Sequence, residues 1–389
     1  MTPAARLQAA IELVDAITAA AREGGAAADT LVQRYFATRR YAGSKDRRAV
    51  RELVFAAVRT CGEPPPNGRA ALLLLADRDP ALAALFDGSP HGPAPIAPDE
   101  PRATPGIAPE WLLESLGDLA TPGLVDRAPL DVRVNALRAD GTTVADAFPD
   151  ALAVPGLPAA LRLPTGTALE QHPLWQAGAL EVQDAGSQAV TLAVGAQPGM
   201  AVIDLCAGAG GKTLALAAAM ENRGQILACD TDRARLSRLM PRAERAGVTI
   251  AAVRLLDPNR EAAALADVRG RADAVLVDAP CSGTGTWRRN PEARWRLTPA
   301  RLARLVETQA RLLDLAAPLV RSGGALVHVV CSLLDAEGRD QTDRFLRDHP
   351  GWTAEPLALP LGREHGSGWR LDPASDGTDG FFVARLRAP

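Results

Sequence analysis

Lysine is nearly missing from this chain. Only Lys45 and Lys212 occur, against 41 arginines (43 Lys+Arg less those two). A lysine that persists under such an arginine bias is a candidate for a role that the broad planar guanidinium cannot fill. Aromatic residues are scarce too, at 4%, so a core has to be built from the aliphatic side chains that dominate the 47% hydrophobic content. Long apolar runs are absent: none reaches the ~18 residues needed to span a membrane. Residues 1–22 follow a helical polar–apolar pattern rather than the charged start and apolar core of a secretory leader. The five cysteines (Cys61, Cys206, Cys229, Cys281, Cys331) form no C-x-x-C pair and the five histidines are scattered, which argues against a zinc or other metal site. The expectation is a cytoplasmic protein whose thiols stay reduced.

Excess charge of one sign is lacking as well. The formal net charge is −3, which gives no overall sign of a polyanionic partner. Local charge does. Between Arg34 and Arg59 stand eight basic residues (Arg34, Arg39, Arg40, Lys45, Arg47, Arg48, Arg51, Arg59) and two acids (Asp46, Glu52). A second basic cluster comprises Arg288, Arg289, Arg294, Arg296, Arg301 and Arg304. Either cluster can be a solvated helix face or a set of phosphate contacts.

Periodicity divides the chain. Residues 1–88 read as helical, with apolar positions recurring at three and four, for example Val50, Leu53, Val54, Ala57 and Val58. Residues 89–108 are rich in Pro and Gly and read as a linker. Residues 109–180 read as a small α+β unit, with strands at 130–134 and 161–163 and a helix at 142–148. From residue 181 onward strands and helices alternate: strands at 202–206, 225–230, 250–254, 273–278 and 324–331, helices at 212–220, 232–246, 299–320 and 336–348, and a closing strand at 380–386. Such alternation predicts an α/β fold, a mostly parallel sheet covered on both faces.

The motifs sit at strand ends. After the first strand of this sheet comes Asp204-Leu205-Cys206-Ala207-Gly208-Ala209-Gly210-Gly211-Lys212-Thr213, a glycine turn into a helix, where a nucleotide-like ligand sits in such folds. The dinucleotide pattern G-x-G-x-x-G fails at Thr213. A P-loop fits except at its first position, Cys206, so an NTPase is a rival reading. Asp230 closes the second strand about twenty residues past the turn, a position suited to ribose hydroxyls, and Asp257 follows the third, where an adenine amino group would be read. Two thiols about fifty residues apart complete the series, Cys281 in Asp278-Ala279-Pro280-Cys281-Ser282-Gly283-Thr284-Gly285 and Cys331 in Val329-Val330-Cys331-Ser332. Each ends a strand and each is followed by serine. A cofactor-type loop with two thiols at strand ends points to thiolate chemistry on a bound electrophile. Free cysteines also fill cores, and so Cys61, Cys206 and Cys229 are read.

These motifs, in this order and with Gln183-Asp184 before them and Asp379-Gly380-Phe381-Phe382 after them, resemble the Sun/RsmB family of RNA (cytosine-5) methyltransferases. The resemblance covers residues 180–387 strongly and 109–180 moderately, and is weak over 1–88, where some members carry a NusB-like RNA-binding domain. It implies a Rossmann-like class I methyltransferase sheet over 181–389, a small RNA-binding subdomain over 109–180, and S-adenosylmethionine as cofactor. It implies that Cys206, Ala207, Gly208, Ala209, Gly210, Gly211 and Lys212 hold the methionine part, Asp230 the ribose and Asp257 the adenine. Asp278 would lie by the cofactor and the cytosine edge, Cys331 would be the nucleophile and Cys281 would help release product. Arg288, Arg289, Arg294, Arg40, Lys45, Arg47 and Arg48 are the expected RNA contacts. The partner is RNA, ribosomal RNA favoured and transfer RNA next, with no membrane and a monomeric chain. An idle RNA-binding protein that kept the fold is a further rival. Two departures stand out: the family's Ala-Ala-Pro-Gly-Gly-Lys is here Ala207-Gly208-Ala209-Gly210-Gly211-Lys212, and the run behind the second cysteine is Glu337-Gly338-Arg339-Asp340.

Overall fold

The computed structural model describes residues 1–389. Chain contacts divide them into two units, residues 1–127 with 286–299, and residues 128–285 with 300–389. The first unit is helical. Thr2 accepts a hydrogen bond from Ala5 N and starts the helix Pro3–Glu23, with proline at its first position, where a missing N–H costs nothing. Ala28–Ala37, Ser44–Thr60 and Gly68–Ala76 follow, the last capped by Asn67. Leu7, Leu13, Ile17, Val54, Val58, Leu72 and Leu73 are buried between them, each such side chain contributing roughly 1.5–3 kcal/mol.

The expected linker over 89–108 does not hang free. Ala103 N donates to Ala70 O at 3.1 Å and Gly106 N to Thr60 O at 2.9 Å, and Arg69 pairs with Glu100. A stretch rich in proline lacks donors for a regular element, yet its remaining amides tie it to the helices. Residues 286–299 also belong to this unit, although the periodicity assigned them to the sheet domain.

The second unit carries two sheets. In the smaller, β1 (Leu130–Val134), β2 (Leu152–Val154), β3 (Leu157–Leu163) and β4 (Leu180–Val182) run antiparallel in the order β2-β3-β1-β4. This α+β stretch is not an independent body. Buried Glu181 pairs with Arg242 at 2.8 Å and with Arg245, and Asn135 Nδ2 donates to Ala246 O at 2.8 Å. A buried carboxylate without those guanidinium groups would cost several kcal/mol, so the small sheet is fastened to the helix Leu239–Ala246 of the larger layer.

The larger sheet has nine strands: β5 (Ala201–Asp204), β6 (Gln225–Asp230), β7 (Ala251–Leu255), β8 (Ala272–Asp278), β9 (Val320–Val330), β10 (Thr353–Glu355), β11 (Arg363–His365), β12 (Gly368–Leu371) and β13 (Phe381–Arg387). Its order is β7-β6-β5-β8-β9-β13-β12-β11, with β10 on the β13 edge. Strands β5 to β9 are parallel, and β13 inserts antiparallel beside β9. Val275, Leu276, Val277, Val327 and Val329 are fully buried, the continuous apolar runs of strands covered on both faces. The order reverses between β5 and β8. That reversal opens a crevice at the carboxyl ends of the strands, where ligands bind in such sheets.

Candidate active site

Every motif singled out in the large sheet emerges at this carboxyl end. After β5 the chain turns sharply: Gly208 and Gly210 adopt φ of +54° and +86°, which a side chain would strain. At Gly208 a Cβ would also stand 2.6 Å from the Arg235 guanidinium. Gly210 caps the helix Gly211–Ala219 with no side chain of its own, and at Gly211 a Cβ would meet nothing within 4 Å. The helix start is therefore approachable, and its first-turn N–H groups are a binding surface for electron-rich ligand atoms.

Asp230 ends β6. One carboxylate oxygen accepts Gly208 N at 2.7 Å and the other accepts Asp232 N at 2.7 Å, so the residue also braces the turn. Asp257, exposed, lies just past β7, beside Leu256, whose N–H donates to Asp230 O at 2.9 Å. Beneath the turn, Asp204 is 1% exposed and accepts the Thr213 hydroxyl at 2.6 Å. Burial, with the charge of Asp278 adding to it, raises its carboxyl to a pKa of about 7.

Lys212 Nζ reaches Asp278 Oδ2 at 2.6 Å and lies 5.6 Å from the centre of the Phe381 ring. Burial alone would lower the ammonium's pKa; the Asp278 carboxylate and its hydrogen bond outweigh that, and the pKa is raised. This lysine thus sets a compact charge against Asp278 and the Phe381 ring, a point contact rather than arginine's broad fork.

Cys281 and Cys331, at the ends of adjacent strands β8 and β9, bring their sulfurs to 3.3 Å. The hydrogen bond to Cys331 pushes the Cys281 thiol well above the usual range, with burial and the negative charges of Cys331 and Glu337 adding to it. Cys281 therefore keeps its proton at neutral pH. The other thiols are inert by the same logic: burial raises Cys61 to about 11 and Cys229 to about 12, and lifts Cys206 well above its ordinary value.

Behind the cysteines lies a buried polar cluster that sequence reasoning missed. Glu337, 0% exposed, accepts hydrogen bonds from Ser282 N, Ser282 Oγ, Ser332 Oγ and Gln309 Nε2. Thr284 Oγ1 lies 3.1 Å from Ser332 Oγ and accepts Leu333 N at 2.8 Å. The paired Cys-Ser steps were the visible signal. The departure at Gly338 has a steric cause: a Cβ there would stand 2.6 Å from the Phe382 ring.

The basic residues divide. Arg40, Lys45, Arg47 and Arg48 are exposed, the last three in the first turns of Ser44–Thr60. Arg288 and Arg289 are half-buried. Arg294 is a correction. It is 0% exposed, and its Nη2 donates to Val58 O at 2.6 Å, Arg59 O at 3.1 Å and Cys61 O at 2.7 Å. These carbonyls close the helix Ser44–Thr60, and a cation there satisfies groups that the helix leaves unpaired. Beside it Trp295 Nε1 donates to Cys61 O at 3.1 Å. No phosphate can reach this guanidinium.

Parallel strands in this order, an antiparallel strand set beside the last, and a glycine turn with acids at the following strand ends are the layout of the Rossmann-like class I methyltransferase fold. The open turn, the carboxylates of Asp230 and Asp257 and the partly exposed Asp278 suit a ligand with a cationic amino-acid end, a ribose diol and an adenine. The model of the family described as 16S rRNA methyltransferase RsmB/F matches residues 191–387, and the chain belongs to that family. The probable ribosomal RNA small subunit methyltransferase B of Synechocystis is 37% identical over 297 residues, 72% of this chain and 66% of that protein. Its Bacillus subtilis counterpart is 29% identical over 326 residues, 77% of this chain and 71% of that protein. Among solved structures, PH0851 aligns over 99% of both chains with a TM-score of 0.77 at 24% identity. NSun6 from Pyrococcus horikoshii, solved with SFG, aligns over 72% of this chain and 96% of its own with a TM-score of 0.64 at 20% identity.

Proposed function

We propose that this protein methylates carbon 5 of a cytosine in RNA, with small-subunit ribosomal RNA as the substrate, through a covalent bond between Cys331 and carbon 6 of the ring. The observation that carries this reading is the thiol pair, two sulfurs 3.3 Å apart at the ends of neighbouring strands beside a Lys212–Asp278 ion pair. The names of the relatives favour ribosomal RNA.

Carbon 5 of cytosine is too weakly nucleophilic to take a methyl group unaided. Thiolate addition at carbon 6 gives the ring enamine character and makes carbon 5 nucleophilic. S-adenosylmethionine, when bound, supplies the electrophilic methyl. In this reading Cys206 to Lys212 hold its methionine part, Asp230 its ribose and Asp257 its adenine. Asp278 lies by the cofactor and the cytosine edge, and protonation at ring nitrogen 3 by an acid near it promotes the addition. Cys331 is the nucleophile in this reading, and Cys281 is the thiol whose proton is held. Once carbon 5 is methylated, its proton passes to solvent, the electron pair re-forms the ring double bond and expels the Cys331 thiolate, and Cys281, still protonated, assists release by hydrogen-bonding that thiolate.

The test uses both cysteine variants with RNA and S-adenosylmethionine. Cys331→Ala should give neither methylated RNA nor adduct. Cys281→Ala should add and methylate, then stall as a shifted band on a denaturing gel. A band from Cys331→Ala and none from Cys281→Ala would reverse the roles; activity in both without a band would refute covalent catalysis. Bisulfite sequencing of RNA from cells with and without the protein identifies the cytosine.

A further inference from the structure

We propose that Glu337 is a positioning residue that holds Cys281 and Cys331 in register by clamping the serine that follows each of them. The proposal rests on the reading that the two thiols act together.

The geometry is specific. The Glu337 carboxylate takes four donors. Ser282 N–H reaches one oxygen at 2.8 Å, and Gln309 Nε2 reaches the same oxygen at 3.0 Å. Ser332 Oγ reaches the other oxygen at 2.5 Å, and Ser282 Oγ donates to it as well. Ser282 is 6% exposed, and Ser332, Gln309 and Glu337 are 0% exposed. A carboxylate taken this far from water has to be fully hydrogen-bonded to be tolerated. Here every partner but Gln309 belongs to a residue adjoining a cysteine, and Gln309 itself also donates to Pro280 O at 2.9 Å, the carbonyl before Cys281. One anion therefore ties together the two loops that carry the sulfurs.

Neighbouring contacts fix the clamp in turn. Gly285 N donates to Cys331 O at 3.1 Å, which holds the loop beyond Cys281 to the second cysteine. Glu337 N donates to Leu334 O at 3.0 Å, so the acid sits on a tight turn a few residues past Ser332. The Phe382 ring against Gly338 closes the far side of that turn. Sulfurs 3.3 Å apart are the product of this arrangement. A shift of about 1 Å in either loop would spoil the approach that successive addition and release by the two thiols require.

Charge and clamping are separable by chemistry. In Glu337→Gln the amide oxygen still accepts Ser282 N and Gln309. The amide NH₂ then donates to the two serine hydroxyls, which rotate to accept. The clamp survives and the charge is lost. Glu337→Ala loses both. Ser332→Ala keeps the charge and cuts one arm.

The readout is the rate at which diamide, which takes two electrons and two protons from a thiol pair, converts Cys281 and Cys331 to a disulfide. It is followed by mass spectrometry of the linked peptides in the full chain. This rate depends on sulfur proximity and not on methylation. Glu337→Gln should crosslink at least as fast as the wild type. Glu337→Ala should crosslink at least tenfold more slowly than Glu337→Gln, although both lack the charge. Ser332→Ala should be at least fivefold slower than the wild type. Methylation kinetics run alongside should show Glu337→Ala losing kcat with KM little changed. Equal crosslinking rates for Glu337→Ala and Glu337→Gln would overturn the proposal. Should Glu337→Ala fail to fold by circular dichroism, Ser332→Ala decides, and a wild-type rate there overturns it equally. A wild type that crosslinks but methylates no RNA would instead count against the proposed function.

Discussion

Replacing Arg294 by alanine should unfold the helical unit at lower temperature without touching RNA recognition. The guanidinium satisfies Val58 O, Arg59 O and Cys61 O, all at the close of one helix, and also reaches Pro291 O. Truncation strips Val58 O, Arg59 O and Pro291 O of this donor, each costing about 1–3 kcal/mol, while Cys61 O keeps the Trp295 Nε1 bond. Water entering the space left behind can satisfy part of the set. Burial also lowers the Arg294 pKa to about 10, so holding the charge there has a cost that the variant is spared. With about half of the gross loss offset, a net destabilisation of about 3 kcal/mol follows. The unit contains 141 residues (127 from 1–127 and 14 from 286–299). At ~2.1 cal/mol/K of unfolding entropy per residue, 3 kcal/mol lowers the Tm of its transition by about 10 °C. Thermal circular dichroism measures the shift, and RNA affinity at several salt concentrations, taken well below the transition, should show an unchanged slope. Arg294→Lys should recover only part of the loss, because one ammonium cannot span all the acceptors. An unchanged Tm together with a flatter salt dependence would refute the reasoning and make Arg294 a phosphate contact.

Asp204 gives a pH signature. Its folded pKa, raised to about 7 from the ordinary 3.8, means that its contribution is fully present below pH ~3.8 and lost as pH rises through 7. That fall is worth up to about 4 kcal/mol; Asp204→Asn should lack it, and parallel stability–pH curves for the two proteins would sink the assignment. Asp230→Ala should weaken S-adenosylmethionine binding by roughly 1–3 kcal/mol in calorimetry, through lost ribose bonds and through loss of the brace on Gly208; unchanged affinity would remove it from the cofactor site. Charge reversal at Arg40, Lys45, Arg47 and Arg48 together should weaken RNA binding most at low salt, each lost phosphate contact lowering the log–log salt slope by about 0.7–0.9; an unaltered slope would mean that RNA docks elsewhere. Gly338→Ala should destabilise the sheet domain through the Phe382 ring, and a wild-type Tm would show that the ring can move aside.

The central sheet was legible because its strands are buried on both faces and its helices are amphipathic. The expected strand at 225–230 coincides with β6, and 273–278 with β8 to within a residue. Short antiparallel strands such as β2, β4 and β10 to β12 span three or four residues each, too few to display a period of two. The helix expected over 232–246 is broken into Arg233–Leu236 and Leu239–Ala246. Pro241 has no N–H to give Ser237 O, so the helical bond across that point cannot form. The glycine turn and the cysteines declared themselves by residue type at strand ends. Glu337 did not, because its partners lie at positions 282, 309 and 332 and meet only in three dimensions. Arg294 misled for the opposite reason: a run of arginines reads as surface, and only its place beside Trp295, packed into the helical core, reveals otherwise.

The helical unit is discontinuous in sequence, and this bears on how the chain is made. Its first 127 residues leave the ribosome well before the segment carrying Arg294 and Trp295, with 158 residues (128–285) translated between. At about 5–20 residues per second that interval is about 8–30 s. During it the helix Ser44–Thr60 ends in carbonyls without their cation, and the seat of Trp295 is open. Nascent helices in that state expose an apolar notch that only a later part of the same polypeptide fills. Synthesis order therefore leaves the N-terminal third incomplete for about 8–30 s, and slowing elongation between codons 128 and 285 should lengthen that interval.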